Sequence, residues 1–248
     1  MQLLVSDFDG TLHTCDEVME MNVKKIQDFI DQGNIFMLSS GRSYESLKAK
    51  MKLYNIPVSY MATEDGSHLF DKRGRLIHEV TMSKDILSDI DPIIELGRHK
   101  ELQFGTTRAY LHERTDKDIS SVNFVIDEDK INNDFIFEWE KLKLKHPDYE
   151  YLVYGYFIKN HGMVYYYCIK PKNIDKSIPV SKLAELKKLS KNSIFTIGDG
   201  DNDIPMIKEF NGFMIGDNDS LKKHAIGCYN EVYELIDDIN KQKVKRRW

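Results

Sequence analysis

Cysteine is scarce in this 248-residue chain. The three present, Cys15, Cys168 and Cys228, are far apart and odd in number. That excludes a disulfide framework and reads as free thiols of a reducing compartment. Long apolar runs are missing too: none approaches the ~18–20 residues that cross a bilayer. The N-terminus has no basic region and meets Asp7 too early for a signal peptide. These absences predict a cytoplasmic protein with no membrane partner. Positive charge is not in excess, since 35 Lys and Arg face 40 Asp and Glu for a net −5. That argues against a nucleic-acid partner, which normally demands a basic face. The basic residues within 241–248 read as a solvated helix end. No internal repeat or low-complexity segment occurs.

What is present is a rhythm. Residues 2–6 form a short apolar run, hence a buried strand. Residues 18–31 carry Val18, Met19, Val23, Ile26, Phe29 and Ile30 at helical spacing, and Gly33 stops them. Strands over 34–39 and 58–63 enclose a helix over 43–53. Strands separated by helices predict parallel βαβ units. The middle differs: a helix over 83–100 containing Pro92, strands over 103–114 and 121–126, a helix over 133–146, then a tyrosine-rich hairpin over 149–170. From residue 180 the first rhythm returns, with helices over 180–189, 204–209 and 231–240 and strands over 193–197 and 213–215. The pattern predicts an α/β domain, residues 1–81 and 173–248, interrupted by an inserted α+β module over 82–172.

Three polar clusters follow predicted strands. They are Asp7-Phe8-Asp9-Gly10-Thr11, Ser39-Ser40-Gly41-Arg42 and Gly198-Asp199-Gly200-Asp201-Asn202-Asp203. In an open parallel sheet, sites form beyond the carboxyl ends of the strands. Each cluster alone reads as a turn or a helix cap, but their joint placement points to one cleft. Asp7, Asp9, Asp199 and Asp203 would crowd four carboxylates there, and some would hold protons near neutrality unless a cation intervened. A hard divalent ion with oxygen ligands, Mg²⁺, resolves the repulsion. A calcium loop beginning at Asp199 fails, with Ile204 where glycine and Phe210 where glutamate are needed. The G-x-G-x-x-G and G-x-x-x-x-G-K-[ST] nucleotide patterns are also unmet.

Asp7-Phe8-Asp9-Gly10-Thr11-Leu12 resembles the first motif of the haloacid dehalogenase (HAD) superfamily. Ser40-Gly41-Arg42 resembles its second motif in the Cof-type branch, and Gly198 through Met206 its fourth. Lys176 falls where that branch carries its third-motif lysine. The resemblance spans nearly the whole chain. It implies a doubly wound, parallel-sheet HAD core with an inserted α+β cap of class IIB, and a Mg²⁺-dependent phosphatase of small phosphoesters such as sugar phosphates.

Roles follow from the resemblance and the chemistry together. Asp7 would attack phosphorus and form an aspartyl-phosphate. Asp9 would protonate the leaving oxygen and then deprotonate water. Lys176 would steady nucleophile and phosphate. Ser40, Gly41, Arg42 and Asn202 would contact phosphate or substrate. Asp7, the Asp9 carbonyl, Asp199 and Asp203 would surround Mg²⁺. His13 and Cys15 read as structural, and the tyrosines of 149–167 as sheet packing. Asp65 and the Gly216-Asp217-Asn218 turn depart from the Asn-Gly and Gly-Asn-Ala that the branch often carries, which implies a specificity of its own. Two alternatives are a sugar phosphomutase, with Arg98, Arg108 and Arg114 as candidates for a second phosphate, and a non-catalytic regulatory binding protein. A monomer or weak homodimer is expected.

Overall fold

The computed structural model describes residues 1–96, 119–158, 162–242 and 244. It divides into two compact units: Met1–Glu79 with Asp175–Trp248, and Val80–Ile174. The first unit opens with β1 (Leu3–Ser6), α1 (Asp16–Asp31), β2 (Ile35–Ser39), α2 (Tyr44–Tyr54), β3 (Tyr60–Thr63), β4 (His68–Asp71) and β5 (Leu76–Glu79). The second unit holds α3 (Ile86–Leu96), β6 (Val122–Asp127), α4 (Asn133–Lys145), β7 (Tyr149–Ile158) and β8 (Gly162–Pro171). The chain then returns with α5 (Ser177–Lys187), β9 (Ile194–Gly198), α6 (Ile204–Glu209), β10 (Asn211–Ile215), α7 (Asp219–Lys222), β11 (Gly227–Tyr229) and α8 (Val232–Asn240).

In the first unit the strand order is β11-β10-β9-β1-β2-β3-β4-β5. All pairs from β11 to β3 are parallel. The pairs β3–β4 and β4–β5 are antiparallel. This is the doubly wound α/β arrangement, with an antiparallel hairpin added at one edge. β1 is buried on both faces and reads as an unbroken apolar run, as a central parallel strand must. Its even-numbered partner Leu4 joins Phe36, Leu38 and Met61 under α1, α2 and α8. Leu3 and Val5 point the other way and join Met37, Ile194 and Met214 under α5 and α6. Each such buried Leu or Phe contributes about 1.5–3 kcal/mol.

α1 starts at Asp16, two residues before the first apolar position of its sequence pattern. Asp16 and Glu17 occupy its first turn, where carboxylates complement the exposed N–H groups. α5 begins at Ser177 rather than 180, because the turn that carries Lys176 runs straight into it. β4, β5 and β11 were not evident in sequence. They hold four, four and three residues, and β5 is only half-buried on alternate residues, so no periodic signal builds up.

In the second unit, β6, β8 and β7 form an antiparallel sheet in that order. Val122, Phe124, Tyr167 and Ile169 line the face that packs on α3 and α4. Trp139 meets Phe124, Tyr151 and Tyr167 edge-on at ring-centroid distances of 4.8–5.9 Å. The tyrosines of this hairpin therefore serve packing in part, while Tyr154 and Tyr166 pair across the opposite face. Pro92 lies inside α3. The strand expected over 103–114 lies outside the described residues, as do Arg98, Arg108 and Arg114. No helix of the described residues is long and apolar enough to cross a membrane.

Candidate active site

β1 is central, and its neighbours are β2 and β9. Ser6 pairs with Leu38 on one side and Ile197 on the other. The carboxyl ends of the three strands are therefore level, and the clusters that follow them converge. Asp7 continues β1, its N–H donating to the Ile197 carbonyl at 3.0 Å. Phe8 is fully buried in the core beneath α1 and α2. Asp7 and Asp9, on either side of it, line one cavity of about 310 Å³ with Ser40, Gly41 and Arg42. Asp199, Gly200 and Asn202 complete its wall.

Gly10 turns the chain with φ +78°, and a Cβ there would collide with the Asp199 carboxylate. Glycine is thus required twice over, by backbone conformation and by space. The Thr11 hydroxyl donates to Asp199 Oδ1. Asn218 Nδ2 donates to the Asp199 carbonyl at 3.1 Å. Asp199 is thus held at both its side chain and its backbone. It also borders a neighbouring cavity of about 600 Å³ on the Gly216–Ser220 side.

Beneath the cavity lies Lys176, with no exposed surface. Its ammonium donates to Asp7 Oδ1 at 2.8 Å and to Asp203 Oδ1 at 2.7 Å. Burial alone would pull the lysine down. The facing carboxylates of Asp7, Asp203 and Asp65 outweigh it and raise the group, so it stays charged. Asp203 is equally buried, and its Oδ2 accepts the N–H groups of Asp199 and Gly200 at 3.0 Å each. It fixes both the lysine and the Gly198–Asp203 turn. Asp7 is pushed up to about 7, chiefly by burial, with Lys176 opposing and Asp203 reinforcing. Asp199 is also raised, again first by burial. Burial first, and neighbouring carboxylates second, raise both groups by more than one ammonium offsets.

Oxygens of Asp7, Asp199 and Asp203 lie within 4.8 Å of one another. An all-oxygen anionic set of this size suits a hard divalent cation. The side chain of Asp9 is not part of that set. It forms a two-pronged pair with Arg42, Nε to Oδ2 at 2.6 Å and Nη2 to Oδ1 at 2.7 Å. Arg42 is braced by Ser46 Oγ at 2.9 Å and lies over the Phe8 ring. Ser40 is buried, and its Oγ accepts the Arg42 N–H at 3.2 Å. His13 stacks on Phe8, and its Nε2 is 2.9 Å from both Asp16 and the Tyr54 hydroxyl. Cys15 is exposed at the start of α1.

Among the described residues, the structure brings Asp7, Asp9, Ser40, Gly41, Arg42, Asp199 and Asn202 to one cavity, with Lys176 and Asp203 buried and bonded to each other next to Asp7. Sequence reasoning overlooked three supports: Thr11 and Asn218 on Asp199, and Ser46 on Arg42. Thr11 lay inside the first motif, and Ser46 one helical turn beyond Arg42. Asn218 stood out in the sequence only within a turn that departs from the family pattern; in the structure its Oδ1 also caps α7, accepting from Ser220 and Leu221.

A family model for haloacid dehalogenase-like hydrolases matches residues 4–228. The chain belongs to that family. As a HAD hydrolase of the Cof type, it is similar to a Buchnera aphidicola protein named as a phosphatase. The two are 23% identical over 223 residues, covering 83% of this chain and 82% of the relative. It is also similar to the 5-amino-6-(5-phospho-D-ribitylamino)uracil phosphatase of Bacillus subtilis, at 23% identity over 100% of this chain and 96% of the relative. Its fold matches the crystal structure of a HAD-like hydrolase from Bacteroides thetaiotaomicron with a TM-score of 0.75 at 18% identity, covering 96% and 99% of the two chains. A HAD subclass IIB sugar phosphatase matches with a TM-score of 0.66 at 14% identity, over 97% and 99%.

Proposed function

We propose that this HAD-type phosphoric monoester hydrolase is Mg²⁺-dependent and cleaves a small phosphoester, such as a sugar phosphate, through an aspartyl-phosphate on Asp7. The observation that carries the reading is the Lys176 ammonium, buried and 2.8 Å from Asp7 Oδ1, beneath a cavity that Asp9 and Ser40 also line. The acidic set of Asp7, Asp199 and Asp203 fits a divalent cation, which Asp7, Asp199 and the Asp9 carbonyl would hold and Asp203 would support from behind. When bound, the ion neutralises charge on nucleophile and phosphate and so lowers their mutual repulsion.

Asp7 bonds to phosphorus through a carboxylate oxygen as the ester oxygen leaves with its electron pair. Asp9 gives that oxygen a proton. Asp9 then takes a proton from water, whose oxygen attacks phosphorus and frees Asp7 and phosphate. Asp9 must first release Arg42, whose guanidinium is then free to receive an anionic oxygen. The Ser40 hydroxyl and Asn202 amide orient the phosphoryl group, and Lys176 opposes the upward push of burial on Asp7 and so favours its ionised form for attack. The second unit, Val80–Ile174, would select the leaving group. The relatives named for a sugar phosphatase and a phosphoribityl compound support a small, polyhydroxylated substrate.

Phosphate release from a panel of small phosphoesters tests the reading, run with Mg²⁺, with chelator and with Asp7→Asn. Release that needs Mg²⁺ and falls at least about 10³-fold in the variant, some 4 kcal/mol of barrier, is the expected result. No release by the wild-type chain with Mg²⁺ would sink it. Transfer of the phosphoryl group to an added sugar without net release would replace hydrolase by phosphotransferase.

A further inference from the structure

Beyond the charge it presents to Lys176, Asp65 touches two of the phosphate-side loops. It follows β3 and has φ +51° and ψ +33°, and Glu64 before it also has φ +51°. Two successive non-glycine residues in the left-handed region are uncommon, and such strain persists where surrounding contacts enforce it. Here the contacts run to the loop after β2. The Glu64 N–H donates to the Arg42 carbonyl at 3.0 Å, and the Asp65 N–H to the Ser40 carbonyl at 3.2 Å. In a trans peptide the N–H opposes the C=O, so the Gly41 N–H points away from Asp65. The Asp65 carboxylate closes the near side: its oxygens would lie 3.1 and 3.3 Å from a Cβ on Gly41. Its Oδ1 also accepts Asn202 Nδ2 at 2.9 Å, from the loop after β9.

We infer that Asp65 is a positioning residue that ties the Ser40-Gly41-Arg42 turn to the Asn202 carboxamide and so sets the phosphate-binding edge of the cavity. The inference rests on the proposed phosphatase reading. Asp65 acts through Gly41 and Asn202, both of which line the cavity, while its own side chain sits behind them. The strained backbone aims the carboxylate at both partners at once.

The test compares Asp65→Gly, Asp65→Asn, Asn202→Ala and the Asp65→Gly/Asn202→Ala double variant in the full chain. Glycine removes the carboxylate and relieves the left-handed backbone, so the fold is kept. Asp65→Gly is expected to raise KM for the best phosphoester and Kd for inorganic phosphate about tenfold, with kcat within about twofold. Asn202→Ala, which also removes the carboxamide itself, should lose at least as much, and the double variant should lose clearly less than the product of the two, the sign of a shared interaction. Asp65→Asn, which keeps an acceptor for Asn202, should recover most of the lost affinity. An unchanged KM in Asp65→Gly, or losses that multiply in the double variant, would overturn the inference while leaving phosphatase activity intact. A wild-type chain that neither releases nor binds phosphate would instead remove the reading beneath it, and this inference with it.

Discussion

Two ionic groupings meet at the cavity, Lys176 with its two carboxylates and Arg42 with Asp9, and they are built to opposite standards. Lys176 lies between Asp7 and Asp203 with 0% of its side chain exposed. Arg42 and Asp9 are 31% and 50% exposed. Burial makes the first pair costly to form and far more costly to break singly. Exposure makes the second worth little to stability, since exposed pairs are typically worth about 0.2–1 kcal/mol. The difference matches the tasks proposed for each. A nucleophile must be aimed and helped toward its ionised form against burial, which suits a fixed cation at 2.8 Å. A proton carrier must change charge and swing between partners, which suits a loose one.

Breaking the buried pair should have the largest effect. Lys176→Met leaves two buried carboxylates facing each other. Turnover is expected to vanish and stability to fall by about 3–5 kcal/mol in chemical denaturation. A variant as stable as the wild type would show that the lysine does not hold the carboxylates in solution. Asp9→Asn breaks the exposed pair instead. Its kcat should fall about 10²–10⁴-fold, as loss of a general acid and base does, while its denaturation midpoint stays close to wild type. Equal losses of stability in the two variants would erase the contrast.

Next comes pH. Burial pushes Asp7 from an ordinary 3.8 up to about 7. Between those values the folded chain binds more protons at Asp7 than the unfolded chain. Asp7 therefore contributes stability that is present below about pH 4 and lost as pH rises through about 7. In chelator, the thermal midpoint of the wild type should decline from about pH 4 to 7 relative to Asp7→Asn. Added Mg²⁺ should recover it near pH 7 if the acidic set binds the ion. Parallel curves for the two proteins would refute the buried-pair account. Smallest of all, Ser46→Ala removes one brace from Arg42. A two- to fivefold loss in kcat/KM is expected, about 0.5–1 kcal/mol, with no change in denaturation midpoint.

Much of this was legible in the sequence for a physical reason. β1, β2 and β9 are central strands buried on both faces, so each reads as a mostly apolar run, broken only by Thr196 in β9, that ends in polar residues. Asp7, Ser40 and Asp199 could be placed at strand ends from the sequence alone. The hairpin of β4 and β5 could not, because short edge strands carry no sustained period. Nor could the exposure of the Asp9–Arg42 pair against the burial of Asp203, since sequence shows residue types but not depth. Asp65 showed a similar gap. Its place in a loop was visible, but its left-handed backbone and its reach to Asn202 arise from contacts between segments 137 residues apart in sequence.

The strand order has a consequence for how the molecule comes into being. β1 sits between β2, its near neighbour in sequence, and β9, which arrives some 190 residues later: Leu3 pairs with Ile35 on one side and Ile194 on the other. During synthesis the first strands can pair early, but the β9 edge of β1 stays open until the last quarter of the chain emerges. The second unit, whose described β pairings span fewer than 50 residues, can fold in that interval. Lys176, Asp199 and Asp203 all lie beyond it. A nascent or truncated chain therefore displays Asp7 without the Lys176 ammonium, and the proposed chemistry can be assembled only when the sheet is closed.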